Sequence, residues 1–229
     1  MQQKDTSIEN YFHIKIFLEK VLNFKMFFLS IDGMDLGFVL SGNTDQKNIF
    51  AKQRDAVIEM IRRIPVSSRN NKVGYVTSDK IQPLTSDESK IIRNLQTSSP
   101  SKSSDIKEVF EKSMELFQKG KGARDDKRKV LVAFVNDEVL NYDVSKITPM
   151  LRNLKNQGVK VILLQPPKSL SLDLLPSDVA KNVDRVDVDS NNAKSILDKL
   201  LNQLNEGNKS EVYLAFLCLL TNYNNNLSY

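Results

Sequence analysis

Apolar and polar residues along the chain form short blocks that change repeatedly between strand spacing and helix spacing. The strongest block is the apolar run at 130–135, which is rich in β-branched residues and bounded by charged ones. Such a run is typical of a strand that is buried on both faces of a parallel sheet. We therefore predict a central strand over 129–137. Because open α/β sheets bind ligands beyond the carboxyl ends of their strands, Asp137 is the first candidate site residue.

The other blocks predict an alternation of strands and helices. Further strands are predicted at 34–42, 72–78, 80–85, 159–164 and 183–188, and helical stripes at 50–64, 86–96, 105–120, 147–154, 172–181 and 193–204. Strands that alternate with helices imply right-handed crossovers and a mostly parallel sheet. The predicted fold class is therefore α/β, a doubly wound, mostly parallel six-stranded sheet flanked by helices. Pro83 lacks an N–H group, so 80–85 is predicted as one antiparallel edge strand.

The chain length of 229 residues favours one large domain with extensions. We predict an amino-terminal extension at 1–33, formed by a helix and a short apolar strand, the domain itself at 34–205, and a carboxy-terminal tail at 206–229. The apolar runs at 25–31 and 212–220 are too short to span a bilayer. The amino terminus also has no clear signal-peptide core with a cleavage site.

The composition is that of an ordinary globular protein, with 40% hydrophobic and 27% charged residues and a net charge of +5. Cys218 is the single cysteine and excludes an internal disulfide framework. His13 is the only histidine, and no glycine-rich phosphate loop follows a strand, so neither a nucleophile triad nor a dinucleotide site is predicted. We therefore predict that the protein is not an enzyme; a hydrolase-like α/β enzyme would require the fold to bring scattered acids together.

One connector is strongly basic. Six cations lie within eleven residues, interrupted by two aspartates: Lys119, Lys121, Arg124, Lys127, Arg128 and Lys129. Such a loop could bind sulfated polysaccharide or nucleic-acid phosphate through point charges and counterion release. The alternative is a solvated connector with no ligand. Because no aromatic residue interleaves the cations to stack on bases, the nucleic-acid alternative is the weaker one.

Four segments carry a family resemblance. In chain order they are MDLGFVLSGNTDQKNIFAKQRDAVIEMI, NKVGYVTS, SDIKEVFEKSMELFQKGKGARDDKRKVLVAFVND and LRNLKNQGVKVILL. In these sequences and in its order of elements, the region 34–204 resembles a von Willebrand factor A domain, in the versions found in collagen-type and matrilin-type matrix proteins. The resemblance implies the Rossmann-like fold of that family.

The metal signature of that family is altered here. Members that bind a divalent cation use an Asp-x-Ser-x-Ser turn after the first strand, a threonine before the third helix and an aspartate after the fourth strand, a set suited to Mg²⁺. The resemblance places Ser41, Asn43 and Asp45 in the turn, Asp137 after the fourth strand, and the threonine position within 102–104. A hydroxyl thus replaces the leading carboxylate.

A register that starts the turn at Asp32 would put Met34 and Leu36 where hydroxyls are needed, and we reject it. Two interpretations of the Ser41 register remain. In one, Asp45 and Asp137 supply carboxylates, and Ser41 and Asn43 neutral oxygens, to a rearranged Mg²⁺ or Mn²⁺ site. In the other, the site is degenerate, Asp137 caps the next helix or binds turn amides, and the turn residues serve only the turn. We favour the degenerate site and expect no cofactor, since octahedral Mg²⁺ tolerates little displacement of its ligands.

The resemblance implies a non-enzymatic adhesion or protein-interaction domain. Its partner would be a matrix or cell-surface protein, and the chain would be extracellular or secreted by family analogy. The expected binding surface surrounds 41–45, 101–104 and 137–141. The alternative is a cytoplasmic module of the same fold that scaffolds a multiprotein complex and contacts polyanions through 119–129.

Overall fold

The computed structural model describes residues 33–41, 47–100, 106–134, 146–165, 175–187, 198–199 and 203–204. Residues 33–203 form one compact unit. The predicted tail at 206–229, the predicted extension except for Gly33, and most of the predicted helix at 193–204 lie outside the described residues. The predicted division into extension, domain and tail therefore stays a prediction. No helix within the described ranges is long and apolar enough to cross a membrane.

The predicted sheet is confirmed. Its six strands are β1 (Met34–Val39), β2 (Lys72–Val76), β3 (Ile81–Thr85), β4 (Arg128–Phe134), β5 (Val159–Gln165) and β6 (Val183–Asp187). Their spatial order is β3-β2-β1-β4-β5-β6, and every neighbouring pair is parallel except β2 and β3. The Pro83 strand is thus the antiparallel edge, where a missing N–H group leaves no ladder position unfilled.

β4 is a central strand, as its apolar run predicts. It pairs with β1 on one side and with β5 on the other, and Val130, Leu131, Val132 and Ala133 are all fully buried. The described strand ends at Phe134, whereas the prediction extended to Asp137; residues 135–137 lie outside the described part of the chain.

The helices follow the predicted stripes. They are α1 (Lys47–Arg63), α2 (Glu88–Gln96), α3 (Ile106–Leu116), α4 (Thr148–Asn156) and α5 (Ser177–Ala180), with a 3₁₀ turn at Lys119–Lys121. α1 stops before Pro65, and α2 is capped by Asp87, whose Oδ1 accepts from the Lys90 N–H at 2.9 Å. Some predicted bounds were wrong, most clearly that of α3, which ends at Leu116 rather than near Gly120 because the 3₁₀ turn follows it. Of the helix predicted at 172–181, residues 172–174 lie outside the described part of the chain, and the described helix is α5.

Two glycines let α3 lie close to the sheet. A Cβ at Gly37 of β1 would lie 2.7 Å from Leu116 Cδ2, and one at Gly74 of β2 would lie 2.9 Å from Leu116 Cδ1. The helix therefore packs directly on the two strands, and Phe110, Leu116 and Phe117 join the apolar cluster on that face of the sheet. This packing fixes where the connector after α3 begins, at the amino ends of β1 and β4.

Candidate functional site

The carboxyl ends of β1 and β4 lie side by side, as the predicted site requires. Val39 of β1 is the register partner of Ala133 of β4, so Ser41, two residues after β1, reaches the end of β4 at Phe134. The backbone N–H of Leu40 donates to the Val76 carbonyl at 3.0 Å and continues the pairing of β1 with β2. We call this edge of the sheet the rim.

Ser41 is built into the rim by two hydrogen bonds. Its Oγ donates to the Phe134 carbonyl at 2.8 Å, and its backbone N–H donates to Gln53 Oε1 at 3.2 Å. Ser41 is 1% exposed, and Gln53 of α1 is also buried. We call Ser41, Gln53 and Phe134 the Ser41 clasp. Because each donor has an acceptor, the clasp joins β1 to β4 and α1 without leaving these buried donors unpaired.

Ser41 in this arrangement does not fit the leading ligand position of a Mg²⁺ site. Its oxygen is neutral and the residue is buried, whereas the family's turn places a carboxylate at this position and Mg²⁺ prefers carboxylates with strict octahedral geometry. The other predicted ligands, Asn43, Asp45 and Asp137, lie outside the described residues, as does the segment 102–104. Within the described ranges, no cluster of three or more His, Cys, Asp or Glu residues could hold a metal ion.

The turn between β2 and β3 adds polar groups to the rim. The backbone N–H of Thr77 donates to the Lys80 carbonyl at 2.9 Å, and the Thr77 hydroxyl donates to Asp79 Oδ1 at 2.7 Å. Lys112 of α3 ties the turn to the helix, because its Nζ donates both to the Ser78 carbonyl and to Glu108. The turn is thus held in one shape, with the side chains of Asp79 and Lys80 exposed.

The basic connector lies at the opposite, amino-terminal edge of the sheet, where β1 and β4 begin. Arg124 is not one of its solvent-facing cations. Its guanidinium pairs with the fully buried carboxylate of Asp35 at 2.7 Å, and its backbone N–H donates to the same carboxylate at 2.6 Å. The side chain also donates to the carbonyls of Met34, Ser68 and Asn70. Arg124 therefore anchors the connector to the sheet.

The remaining predicted cations differ in their surroundings. Lys119 is exposed and pairs with Asp125 at 2.8 Å, and this hydrogen bond lowers the pKa of the Asp125 carboxyl, with a smaller contribution from Lys129. Lys127 pairs with Asp126 at 3.5 Å, and Lys121 is half-buried. Burial lowers the pKa of the Arg128 guanidinium, and nearby Asp184 opposes that shift.

Three buried polar residues were not predicted from sequence. Asp35 is a carboxylate within the apolar run of β1, and that exception was a usable signal of a buried partner. Gln53 shows no such signal, because it lies on a helix that is polar over most of its surface. Tyr75 of β2 is buried with a hydroxyl that has no hydrogen-bond partner, and desolvation raises its pKa to about 12, with a further contribution from Asp79.

The chain belongs to the von Willebrand factor type A domain family, whose pattern matches residues 35–171. Domains of this family generally serve in adhesion and protein interaction rather than catalysis. None of the curated protein sequences matches the chain.

Solved structures share the fold at low sequence identity. Proximal thread matrix protein 1 from the mussel byssus is 18% identical with a TM-score of 0.59, over 75% of this chain and 48% of the mussel chain. The conserved hypothetical protein BatB from Bacteroides thetaiotaomicron is 15% identical with a TM-score of 0.50, over 76% of this chain and 100% of BatB. The chain thus spans about half the length of the mussel protein.

Proposed function

We propose that the chain is a non-enzymatic interaction domain whose rim binds a protein of the extracellular matrix or cell surface without a metal ion. The family supports the general role, since its domains serve as adhesion and protein-interaction modules. The fold shared with a mussel protein named as a thread matrix protein supports the class of partner and an extracellular location.

The observation that supports metal independence is that the leading position of the turn holds Ser41, whose neutral hydroxyl brings no carboxylate and donates to the Phe134 carbonyl. In family members that bind Mg²⁺, the leading residue of this turn is an aspartate whose carboxylate belongs to the metal site. Here Ser41 occupies that position, and its hydroxyl donates to the Phe134 carbonyl at the end of β4. This hydrogen bond joins β1 to β4 directly. A rim held in this way needs no cation for its shape, and its partner needs no acidic side chain to complete a coordination sphere.

The described groups that could face a partner are on the β2–β3 turn. Asp79 and Lys80 are exposed, and the turn that carries them is fixed by the Thr77 hydrogen bonds and by Lys112. Such preorganised side chains lose little conformational freedom on binding. The predicted segments 43–45, 101–104 and 137–141 complete the proposed surface.

Binding of the full chain to a panel of immobilised fibrillar matrix proteins tests this proposal. With EDTA present throughout, we expect saturable binding that weakens at least tenfold in the rim variant Asp79→Ala with Lys80→Ala. The matched control is Lys119→Ala with Asp125→Ala, a neutral exchange of an exposed ion pair at the other edge, and it should bind like the wild type. Binding that appears only after Mg²⁺ or Mn²⁺ is added would contradict the proposal, as would equal binding by the rim variant and the wild type.

A further inference from the structure

The amino-terminal edge of the sheet carries a second exposed surface, which is independent of the rim. Arg128 of β4 is the register partner of Met34 of β1, so the basic connector, residues 119–129, lies at the edge where both strands begin. The rim lies at the other end of the same strands. We propose that this amino-terminal edge binds a linear sulfated polysaccharide through four lysines, Lys119, Lys121, Lys127 and Lys129.

The connector is held in place from inside. Arg124 bonds Asp35 through both its backbone and its guanidinium, and Lys72 Nζ donates to the Gly122 carbonyl at 3.0 Å. Gly122 has φ +94°, and a Cβ there would clash with the Leu84 carbonyl oxygen, so the backbone passes closely over β3. A fixed backbone presents the lysines at defined positions, which reduces the entropy lost when a polyanion binds.

The charge balance of the surface is positive. Four lysines face two aspartates. Lys119 pairs with Asp125, both exposed, and the half-buried Lys127 pairs with the exposed Asp126 at 3.5 Å, so both ion pairs are weak. Among the contacts of the described residues, Lys121 and Lys129 form no ion pair. A row of sulfates can replace the two aspartates as the counter-charge of these lysines and release bound counterions.

The chemistry of the surface favours sulfated polysaccharide over the other polyanions. Within 119–129, Arg124 pairs with Asp35 and Arg128 is partly buried, so neither presents a fully exposed guanidinium for bidentate reading of bases; the exposed Arg69 lies in the neighbouring turn before β2. Phe117, the only aromatic residue of 117–131, is 3% exposed and cannot stack on a base. The apolar residues there, Ala123, Val130 and Leu131, are also buried, so nothing is available to enter a lipid surface.

Heparin affinity chromatography in a salt gradient tests the proposal with the full chain. The test variant is Lys121→Gln, Lys127→Gln and Lys129→Gln, which leaves the exposed Lys119–Asp125 ion pair unchanged. We expect it to elute at clearly lower salt than the wild type, and the slope of log K against log salt to fall by about two. The control, with the same loss of three charges at exposed positions outside both proposed surfaces, is Lys47→Gln, Lys90→Gln and Arg93→Gln. Equal elution of the test and control variants would overturn the proposal.

A further double variant should shift the elution from heparin in the opposite direction. Asp125→Asn with Asp126→Asn removes the competing carboxylates, and we expect elution at higher salt than the wild type; an unchanged or lower value would contradict the placement of the surface. Duplex DNA and anionic phospholipid vesicles, titrated in the same buffer, are the competing probes. Binding of either as tight as that of heparin, and equally weakened by the test variant, would refute the assignment to sulfated polysaccharide.

Discussion

The two ends of β1 are fixed to β4 and its surroundings by opposite chemistry. At the amino end, the fully buried carboxylate of Asp35 is held by Arg124 through an ion pair and two kinds of hydrogen bond. At the carboxyl end, the neutral Ser41 hydroxyl and amide bond to Phe134 and Gln53. The charged residue of β1 therefore serves the structure, while the end where the family places its ion is held by uncharged groups. A buried acid does not by itself mark the site.

The largest loss of stability is expected when the ion pair at the amino-terminal end of β1 is broken. Arg124→Ala should cost about 3–5 kcal/mol in the free energy of unfolding, because it leaves the Asp35 carboxylate buried without its counter-charge. Urea unfolding measures the loss, and Lys121→Ala in the same connector is the control, with a change within about 0.5 kcal/mol.

The double variant Arg124→Met with Asp35→Leu tests whether that loss comes from the unpaired Asp35 carboxylate. Replacing a buried ion pair with apolar side chains of similar size is often neutral, so the double variant should recover most of the loss. An Arg124→Ala variant as stable as the control would show that the pair does not hold the connector.

A smaller effect is expected at the carboxyl end. Ser41→Ala should cost about 1–2 kcal/mol, because the Phe134 carbonyl loses a buried donor but no charge is left unpaired. Ser89→Ala, on the exposed face of α2, is the control and should be neutral. If Ser41→Ala cost as much as Arg124→Ala, the contrast between a charged end and a neutral end would be lost.

Tyr75 can be compared with Asp35 and Ser41, because its buried hydroxyl has no hydrogen-bond partner. Tyr75→Phe removes a hydroxyl whose burial is uncompensated, and should raise the free energy of unfolding by up to about 1 kcal/mol at neutral pH.

The same variant has a pH signature. The pKa of Tyr75 is raised to about 12 in the folded protein from its usual 10.0, so the unfolded chain loses this proton first as the pH rises. The wild type should therefore lose stability from pH 10 to 12 relative to the phenylalanine variant, and the difference between them should be constant below pH 10. Thermal unfolding over this range measures it; a constant difference throughout would mean that the phenol is not desolvated.

The fold was predictable because it depends on local pattern. Single elements were predicted from short segments: β4 from its apolar run, the edge strand from Pro83, and α1 from its apolar stripe. The order of strands and helices along the chain then predicted a mostly parallel sheet. The stop of α1 before Pro65 and the left-handed Gly158 after α4 likewise follow from the backbone preferences of single residues.

The site was less predictable because it depends on pairs distant in sequence. Asp35 and Arg124 are separated by 89 positions, and the charge count of the connector cannot show that Arg124 turns inward. The role of Ser41 depends on an amide from α1 and a carbonyl from β4, neither of which has a sequence signature. Position alone suggested a metal ligand there, and the sequence could not show the hydrogen bonds that Ser41 forms.

The most direct test of the account is the thermal unfolding midpoint of the full chain in EDTA and in millimolar Mg²⁺ or Mn²⁺. A ligand that binds only the folded state raises the midpoint, so a rim held by the Ser41 clasp predicts the same midpoint in both conditions, for the wild type and for Asp137→Ala. A rise of several degrees with either cation in the wild type, absent in Asp137→Ala, would contradict the account.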